Sequence, residues 1–333
     1  MTRDASGFLT RLAGLGGSLV LLFACEGPQS ALAPAGRAAD RIADLFWGMT
    51  IGGAIIWLAV VALALYAMSD ARPVFAERAA NRLIVVGGVV LPTIVLAGSL
   101  VYALSLLPDL LAPAGDGAPR VRITGEQYWW RVRYLREDGG VELANELRLA
   151  RGTPVELELE SRDVVHSFWV PSLAGKVDMI PGRRTRLRLD PTRTGVYRGV
   201  CAEYCGTSHA FMALRVVVSE PLELARWLER QAEPAGAPRG ELAARGAAAF
   251  LENGCGSCHT VRGTPANGVI GPDLTHVGSR LSLAAGRLEN DVQSFERWLA
   301  RATEIKPGVN MPHFGMLPQL ELRALAAYLK GLD

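Results

Sequence analysis

The sequence has few of the side chains that most often bind metals and cofactors, with five cysteines and five histidines among 333 residues. It also lacks any dense run of lysine and arginine, and its formal net charge is only +2. Because nucleic-acid binding calls for a concentrated basic surface, the charge pattern predicts no nucleic-acid partner. The scarcity of cysteine and histidine makes any local cluster of them informative.

Apolar residues, by contrast, are abundant: they make up 50% of the chain, and the mean hydropathy is +0.19. Residues 46–68 and 83–107 form two apolar runs without a charged residue. Each run, as a helix, is long enough to cross a hydrocarbon core of about 30 Å. The sequence therefore predicts a transmembrane helical hairpin over residues 46–107, with two buried helices of a soluble core as the alternative.

The N-terminus has the order of an export signal, since Arg3 and Arg11 lead into an apolar segment at residues 12–24. Cys25 follows this segment directly, an arrangement similar to a bacterial lipoprotein cleavage site. We predict a lipoprotein-type signal peptide over residues 1–24 and a lipid-modified Cys25. The alternative is a free or buried thiol in a third hydrophobic helix.

Positive charges between the two apolar runs indicate how the hairpin is oriented. Arg72, Arg78 and Arg82 lie in the connecting loop, and basic loops favour the cytoplasmic side. Arg37 and Arg41, before the first run, weaken this preference. We expect a multi-pass protein of the bacterial inner membrane, with everything after residue 107 on the periplasmic, extracytoplasmic side.

The exported part divides by composition and periodicity. After an N-terminal segment (25–45) and the hairpin, residues 108–118 are rich in Pro, Gly and Ala and read as a linker. Residues 119–220 alternate apolar and polar side chains, which predicts an antiparallel β-sandwich. Residues 221–240 predict a short helix and a second linker, and residues 241–333 have helical spacing.

The stretch CGSCH is a haem attachment motif. Cys255 and Cys258 are placed to bond covalently to the two vinyl groups, and His259 then reaches the iron as one axial ligand. A redox-active dithiol or a disulfide is the alternative. Met311, in the stretch NMPHF, is the predicted second axial ligand, because Met/His ligation suits electron transfer at high potential.

Two neighbours compete with Met311 for that role. His313 lies two residues further on, and Met316 follows it in the same loop. The sequence alone ranks Met311 first without excluding them.

A second cluster lies at residues 201–212, CAEYCGTSHAFM. Cys201, Cys205, His209 and Met212 are close enough in sequence to turn inward from one loop, and His166 ends a predicted strand. Soft thiolate and thioether ligands with imidazole suit copper, and two neighbouring thiolates can bridge two ions. A Cys201–Cys205 disulfide and a Cys2His2 zinc site remain alternatives at this point.

The same stretch resembles the motif C-x-E-x-C-x-x-x-H-x-x-M, the binuclear copper (CuA) motif of cytochrome c oxidase subunit II. The resemblance extends to the lipoprotein start, the hairpin and the stretches GEQYWWRVRY and HSFWVPSLAGKVDMIPGR. The tail, with GPDLTHVGSR and MPHF, resembles the fused cytochrome c domain of caa3-type oxidases. The implied fold is a two-helix hairpin, an all-β cupredoxin-like sandwich and an all-α cytochrome c domain.

The resemblance implies a copper-ligand role for each residue that matches the motif. The implied set is Cys201 and Cys205 as bridging thiolates, His166 and His209 as one imidazole per copper, Met212 through its thioether, and Glu203 through its backbone carbonyl. It further implies that the Glu203 carboxylate faces subunit I and helps hold a magnesium ion there, with Asp178 and Lys176 on the same surface.

The implied function is that of subunit II of a cytochrome c oxidase, which relays electrons from haem c through CuA to haem a of subunit I. Expected partners are subunits I and III, cytochrome c or another respiratory donor, and the lipid membrane. A subunit of a CuA-containing nitric oxide reductase and a copper-binding assembly protein are the alternatives.

One departure from the family pattern bears on where electrons arrive. The family's aromatic motif usually reads G-H-Q-W-Y-W, whereas this chain has Gly125 to Trp130 as GEQYWW. Tyr128 thus replaces the tryptophan associated with electrons from soluble cytochrome c. We expect a tethered haem domain, present at high effective concentration, to relax the need for that tryptophan.

Overall fold

The computed structural model describes residues 27–69, 76–136 and 139–333. The predicted signal peptide, Cys25 and Arg72 lie outside the described residues. The described chain forms two compact units, one comprising Asp40–Ala112 and the other comprising the residues before and after it.

The first unit is helical. Its elements are α1 (Arg37–Met68), α2 (Glu77–Val85), a π-helical turn (Val86–Val90) and α3 (Leu91–Leu111). The segments Arg37–Met68 and Glu77–Leu111 are each long and apolar enough to cross a membrane. This finding agrees with the predicted pair of membrane-capable helices.

Both helical segments extend beyond the apolar runs that predicted them. Helix α1 begins at Arg37, and α3 continues through Pro108 to Leu111, where the sequence predicted the start of a linker. A proline inside a helix removes its own N–H donor and crowds the carbonyl four residues earlier, but the residues after it keep their N–H donors and can remain helical. The charged residues that flank the apolar runs can likewise be helical, because a helix can continue beyond its apolar part.

The second unit begins with a two-layer β-sandwich. Its strands are β1 (Arg120–Glu126), β2 (Trp129–Leu135), β3 (Val141–Ala144), β4 (Glu146–Ala150), β5 (Val155–Ser161), β6 (His166–Trp169), β7 (Val177–Met179), β8 (Thr185–Leu189), β9 (Gly195–Cys201) and β10 (Ala213–Ser219). The two sheets have the orders β3-β2-β1-β5-β8 and β4-β10-β9-β6-β7. The inward side chains of both sheets form one core, in which Trp130 meets Phe168 edge-on at 5.8 Å.

The expectation of a wholly antiparallel sandwich is wrong at two pairs of strands. Strands β1 and β5 are parallel, and so are β4 and β10. In each sheet, the chain leaves the first strand of the parallel pair and passes through at least one strand of the other sheet. It then returns to form the second strand, which lies beside the first and runs in the same direction. Alternation along a strand reports which face is buried but not the direction of the neighbouring strand, so the sequence pattern could not reveal these pairs.

Four helices follow the sandwich. Helix α4 (Pro221–Ala232) packs the buried Trp227 against Tyr134 of β2. Helices α5 (Glu241–Glu252), α6 (Val292–Ile305) and α7 (Gln319–Lys330) surround a second apolar core and form the predicted all-α domain. Long loops between α5 and α6 and between α6 and α7 carry the sequence motifs of this domain.

Gly246 is where α5 crosses α7 most closely, and it generates a test of this packing. A Cβ atom at Gly246 would lie 2.0 Å from the backbone oxygen of Ala324. Gly246→Ala should therefore cost about 1–3 kcal/mol, although alanine normally favours a helix over glycine. Thermal unfolding followed by circular dichroism should show a melting temperature lower by several degrees.

Gly236→Ala is the matched control, since a Cβ atom at this linker residue would have no neighbour within 4 Å. It should leave the melting temperature nearly unchanged. Equal melting temperatures for the two variants would contradict the close helix crossing.

Candidate metal and cofactor sites

The cysteine-rich loop lies at the end of the second sheet, where β6 and β9 pair. Cys201 is the last residue of β9 and faces Phe168 of β6 in the antiparallel register. His166, the first residue of β6, therefore comes beside Cys201, with Nδ1 3.8 Å from Sγ. The Cys201 N–H donates to the Met212 carbonyl at 3.1 Å and closes the loop.

Each thiol of the loop has its own set of neighbouring donors. The Glu203 carbonyl oxygen lies 3.2 Å from Cys201 Sγ, on the side that also holds His166. His209 Nδ1 lies 3.6 Å and Met212 Sδ 3.9 Å from Cys205 Sγ. The two Sγ atoms are 3.9 Å apart, and both cysteines are free thiols in this structure. The structure thus brings together all six predicted ligands.

This arrangement fits ions shared between two thiolates. With metal–sulfur bonds of about 2.3 Å, an ion bound by both sulfurs at their 3.9 Å separation would have a near-tetrahedral angle of about 116°. A second ion can take the position across the line joining the sulfurs. His166, Cys201 and Cys205 have ligand atoms within 4.8 Å of one another, whereas His209 lies outside this group beside Cys205. Two half-sites describe this set better than one Cys2His2 zinc site.

The electrostatics of the thiol pair favour a bound cation. A hydrogen bond from the Cys205 thiol, together with one from His166, holds the pKa of Cys201 well below its usual range, although burial acts in the opposite direction. The Cys201 thiolate, with burial, raises the pKa of Cys205. The second thiolate therefore becomes favourable when positive charge enters the site, as metal binding supplies.

Asp163 is a residue of this site that the sequence analysis missed. Its carboxylate lies 2.7 Å from His166 Nε2 and also accepts from the Gln127 N–H at 2.7 Å. A carboxylate on the outer nitrogen fixes the imidazole so that Nδ1 faces the thiols. Burial lowers the pKa of His166, but the hydrogen bonds with Cys201 and Asp163 outweigh burial and raise it. An acidic residue three positions before the histidine was the available signal.

The haem attachment motif opens onto a cavity of about 640 Å³. The cavity is lined by Cys255, Cys258, His259 and Met311. His259 and Met311, which are 52 positions apart in the sequence, therefore face the same cavity. Apolar side chains dominate the remaining wall, including Phe250, Leu274, Val277, Phe295, Leu299 and Phe314. A flat apolar cofactor with two polar groups fits such a lining.

Three details of the cavity agree with a haem. His259 Nδ1 lies 2.8 Å from the Pro272 carbonyl, so its N–H has an acceptor and Nε2 is left for a metal. Gly271 keeps the imidazole unobstructed, since a Cβ atom there would lie 2.5 Å from the ring. Among the described residues, no partner meets the buried Nε of Arg280, which lines the cavity and can face an anionic group.

The rival axial ligands lie elsewhere. Met316 is 71% exposed, and neither it nor the exposed His313 lines the cavity. His276 is also outside the cavity lining, since its ring nitrogens contact the carbonyls of Asp333 and Glu233.

The residues expected on the subunit I surface of the sandwich, Lys176 and Asp178, are exposed and lie 3.8 Å apart.

Tyr128 lies between the two sites. Only 5% of it is exposed, its hydroxyl accepts from the Thr207 N–H at 3.0 Å, and it lines the haem-type cavity. Gln127 and Trp129 line the same cavity, so the sandwich contributes part of the cavity wall.

Comparisons with known proteins identify the families of the two domains that carry these candidate sites. Residues 136–219 match the family model of the cytochrome c oxidase subunit II periplasmic domain, and residues 243–333 match that of cytochrome c. The chain is 37% identical over 218 residues to cytochrome c oxidase subunit 2 of Alkalihalophilus pseudofirmus, covering 66% of this chain and 62% of that one. With the Bacillus subtilis cytochrome c oxidase subunit 2 it shares 29% identity over 341 residues, 94% of each chain.

A solved structure is also similar. The crystal structure of the periplasmic domain of cytochrome oxidase subunit II of Bradyrhizobium japonicum is 28% identical, with a TM-score of 0.34, covering 35% of this chain and 96% of that one. The two family models confirm the resemblance found in the sequence: a cytochrome c oxidase subunit II periplasmic domain is followed by a cytochrome c domain.

Asp163 can be tested as a support of the candidate copper site. Asp163→Asn removes the charge beside His166 Nε2, so it should lower copper affinity about 10- to 100-fold at neutral pH. Competition titrations with a copper chelator measure this change. Asp178→Asn, an exposed acid on β7, is the control and should bind copper as the unmodified chain does. Equal affinities for both variants would refute the role of Asp163.

Copper loading should also depend on pH through His166. An imidazolium cannot bind a metal, and the pKa of His166 is raised, so loading should decline as the pH falls through a value above the ordinary histidine pKa. Asp163→Asn removes one cause of the raised pKa and should move this decline to lower pH. Loading measured against pH at fixed chelator concentration distinguishes this shift from a uniform loss of affinity.

Proposed function

We propose that this chain, which belongs to the cytochrome c oxidase subunit II family, relays electrons one at a time from a covalently bound haem c to a CuA centre. From there they pass to haem a of subunit I, where oxygen is reduced to water. The observation that carries this proposal is the presence of both candidate ligand sets in one compact unit, with most of the copper set buried and the haem set lining one cavity.

The proposed copper site uses His166 and five residues of the loop at positions 201–212. Cys201 and Cys205 would be the thiolates shared by the coppers, His166 and His209 would supply one imidazole each, Met212 its thioether and Glu203 its carbonyl oxygen. Copper supplies a one-electron carrier there. Strands β6, β9 and β10 hold the ligands at fixed separations, which limits the reorganisation that accompanies each electron.

The haem site proposed here uses the cavity residues. Cys255 and Cys258 would form the covalent links to the haem, and His259 and Met311 would bind its iron. The Pro272 carbonyl orients His259, and the apolar wall excludes water. Met/His ligation within an apolar wall favours a high potential, as an electron donor to a terminal oxidase requires.

The location and the partners follow from the same proposal. The two long apolar helices anchor the chain in the bacterial inner membrane, with both cofactor domains on the periplasmic side and a lipid-modified Cys25 as a further anchor. Tyr204 is 74% exposed next to Glu203, and this face, with Lys176 and Asp178, is the one we assign to subunit I and an interfacial magnesium ion. Subunit III and cytochrome c or another respiratory donor complete the expected partners.

The first experiment measures metal and haem content together with low-temperature electron paramagnetic resonance of the purified chain. We expect about two coppers and one covalent haem per chain, with a multi-line copper signal from one electron shared by two nuclei. A single-copper spectrum, or tightly bound zinc in place of copper, would overturn the relay.

Paired variants separate the two centres. Cys201→Ser with Cys205→Ser should abolish copper binding and leave the covalent haem, because the two sets of cysteines lie in different domains. Cys255→Ser with Cys258→Ser should do the reverse. Loss of both cofactors in either double variant would indicate misfolding and would remove the support that these variants give.

Met311 has a separate test among the haem ligands. Met311→Ala should lower the midpoint potential of the haem, since the thioether is the ligand that raises it. Met316→Ala, at a 71% exposed position, should leave the potential unchanged. Spectroelectrochemical titration of the two variants provides the comparison, and an effect of Met316→Ala alone would reassign the ligand.

A further inference from the structure

Lys306 is a buried lysine between the two cofactor domains that the relay itself does not use. It follows α6 directly, and only 2% of it is exposed. Its Nζ donates to the Tyr128 carbonyl of the sandwich at 2.5 Å and to the Ala284 carbonyl of the cytochrome c domain at 3.1 Å. One amino group thus joins the two domains through hydrogen bonds to backbone oxygens.

The residues after Lys306 also contact the copper loop, which we define as residues 201–212. Ser208, which is fully buried, donates its hydroxyl to the Pro307 carbonyl at 2.6 Å. A Cβ atom at Gly308 would lie 3.3 Å from the Tyr128 ring. Residues 306–308, which we call the docking segment, therefore cover the aromatic turn and the neighbouring part of the copper loop.

Further contacts surround the docking segment. The Ala213 N–H, just after the last copper-loop ligand, donates to the Ala285 carbonyl at 3.1 Å. The Arg287 guanidinium lies over the Phe211 ring at 4.4 Å. On another side of the interface, the Leu281 N–H donates to the buried carboxylate of Glu146 at 2.9 Å.

The environment of Lys306 makes its burial dependent on the contact between the domains. Burying an amino group is costly unless hydrogen bonds replace its hydration. One of the two acceptors, the Tyr128 carbonyl, belongs to the sandwich, so separation of the domains would remove it. Burial lowers the pKa of Lys306 to about 7, and the neutral amine still has two N–H groups for two carbonyls.

We propose that Lys306 is a positioning residue that fixes the cytochrome c domain on the copper loop, and that the docking segment thereby occupies the Tyr128 face. A separate donor protein then reaches this chain at the cytochrome c domain and not at the copper loop. The docking itself stands on the contacts above, whereas its consequence for electron transfer rests on the proposed function.

The docking segment also connects the two ligand sets in sequence. Met311 lies three residues after Gly308, and Thr207 and Ser208 lie directly before His209. Holding residues 306–308 against residues 207–208 therefore fixes the loop of the candidate haem ligand relative to the loop of the candidate copper ligands. Electron tunnelling weakens as two centres move apart, so a shift of one loop relative to the other would slow transfer between the centres.

Lys306→Met in the full chain tests the proposal, with Arg301→Met as the matched control. Methionine retains the apolar stem and removes both hydrogen bonds, while Arg301 is a 68% exposed cation on α6, the helix that Lys306 follows. Amide hydrogen exchange at Ala213 and Leu281 measures opening of the interface without any reference to electron transfer. We expect exchange about tenfold faster or more in Lys306→Met and unchanged in Arg301→Met.

Electron transfer provides the second readout. In the loaded protein, flash photolysis should show slower transfer between the two centres in Lys306→Met than in the unmodified chain, with both midpoint potentials unchanged. Reduction of the copper centre by a soluble cytochrome c should become faster as the Tyr128 face is uncovered. Unchanged amide exchange would overturn the proposal whatever the cofactor content, whereas a wrong cofactor content with faster exchange would count against the relay alone.

Ser208→Ala tests the docking segment from the copper side if Lys306→Met does not fold. It removes the hydrogen bond to the Pro307 carbonyl without adding volume. Faster exchange at Ala213, smaller than expected for Lys306→Met, supports the proposal. Exchange equal to that of the unmodified chain overturns it.

Discussion

The pairing of β6 with β9 is the interaction on which the copper-type site depends. It places the first residue of β6, His166, beside the last residue of β9, Cys201, although the two lie 35 positions apart. The hydrogen bond from the Cys201 N–H to the Met212 carbonyl then forces the loop to close on itself. Within such a closed loop, Cys205 has no room to turn away, and its sulfur comes to 3.9 Å from that of Cys201.

The second constraint is that the sandwich and the cytochrome c domain share a wall. Gln127 illustrates it: its side-chain N–H donates to the Cys205 carbonyl, its backbone N–H donates to Asp163, and it lines the haem-type cavity. Asp163 in turn meets His166. Asp163 also lines the cavity, so a single hydrogen bond separates the cavity from the candidate copper ligand His166, and the position of one domain affects the geometry of the other.

The sequence predicted the parts of this architecture that are local. Local sequence patterns predicted the two apolar runs, the alternating strands, the CGSCH motif and the cluster of Cys201, Cys205, His209 and Met212. The order of helical and β regions along the chain is the expected one. The ends of the membrane-capable helices differ from the predicted ends, because charged residues mark where an apolar run stops and not where a helix stops.

The remaining features depend on contacts between distant parts of the chain. The parallel pairs β1–β5 and β4–β10 follow from crossovers that periodicity does not record. Lys306 meets Tyr128 across 178 positions, and the role of Arg280 depends on a cavity that several elements build together. Asp163 was within reach of local reasoning, since it lies three residues before His166, but only the strand register shows that the two side chains meet.

The contact between the sandwich and the cytochrome c domain gives a physical reason for a tyrosine, in place of tryptophan, at position 128. A large exposed indole suits a surface that must capture a diffusing partner, because aromatic anchors supply much of the binding energy of such interfaces. Here the residue is 5% exposed, its hydroxyl accepts a hydrogen bond from Thr207, and its carbonyl accepts one from Lys306. A tethered domain needs little affinity at this contact but does need a defined position. Tyrosine meets that need, because its hydroxyl fixes the ring to the copper loop while its carbonyl fixes the neighbouring domain.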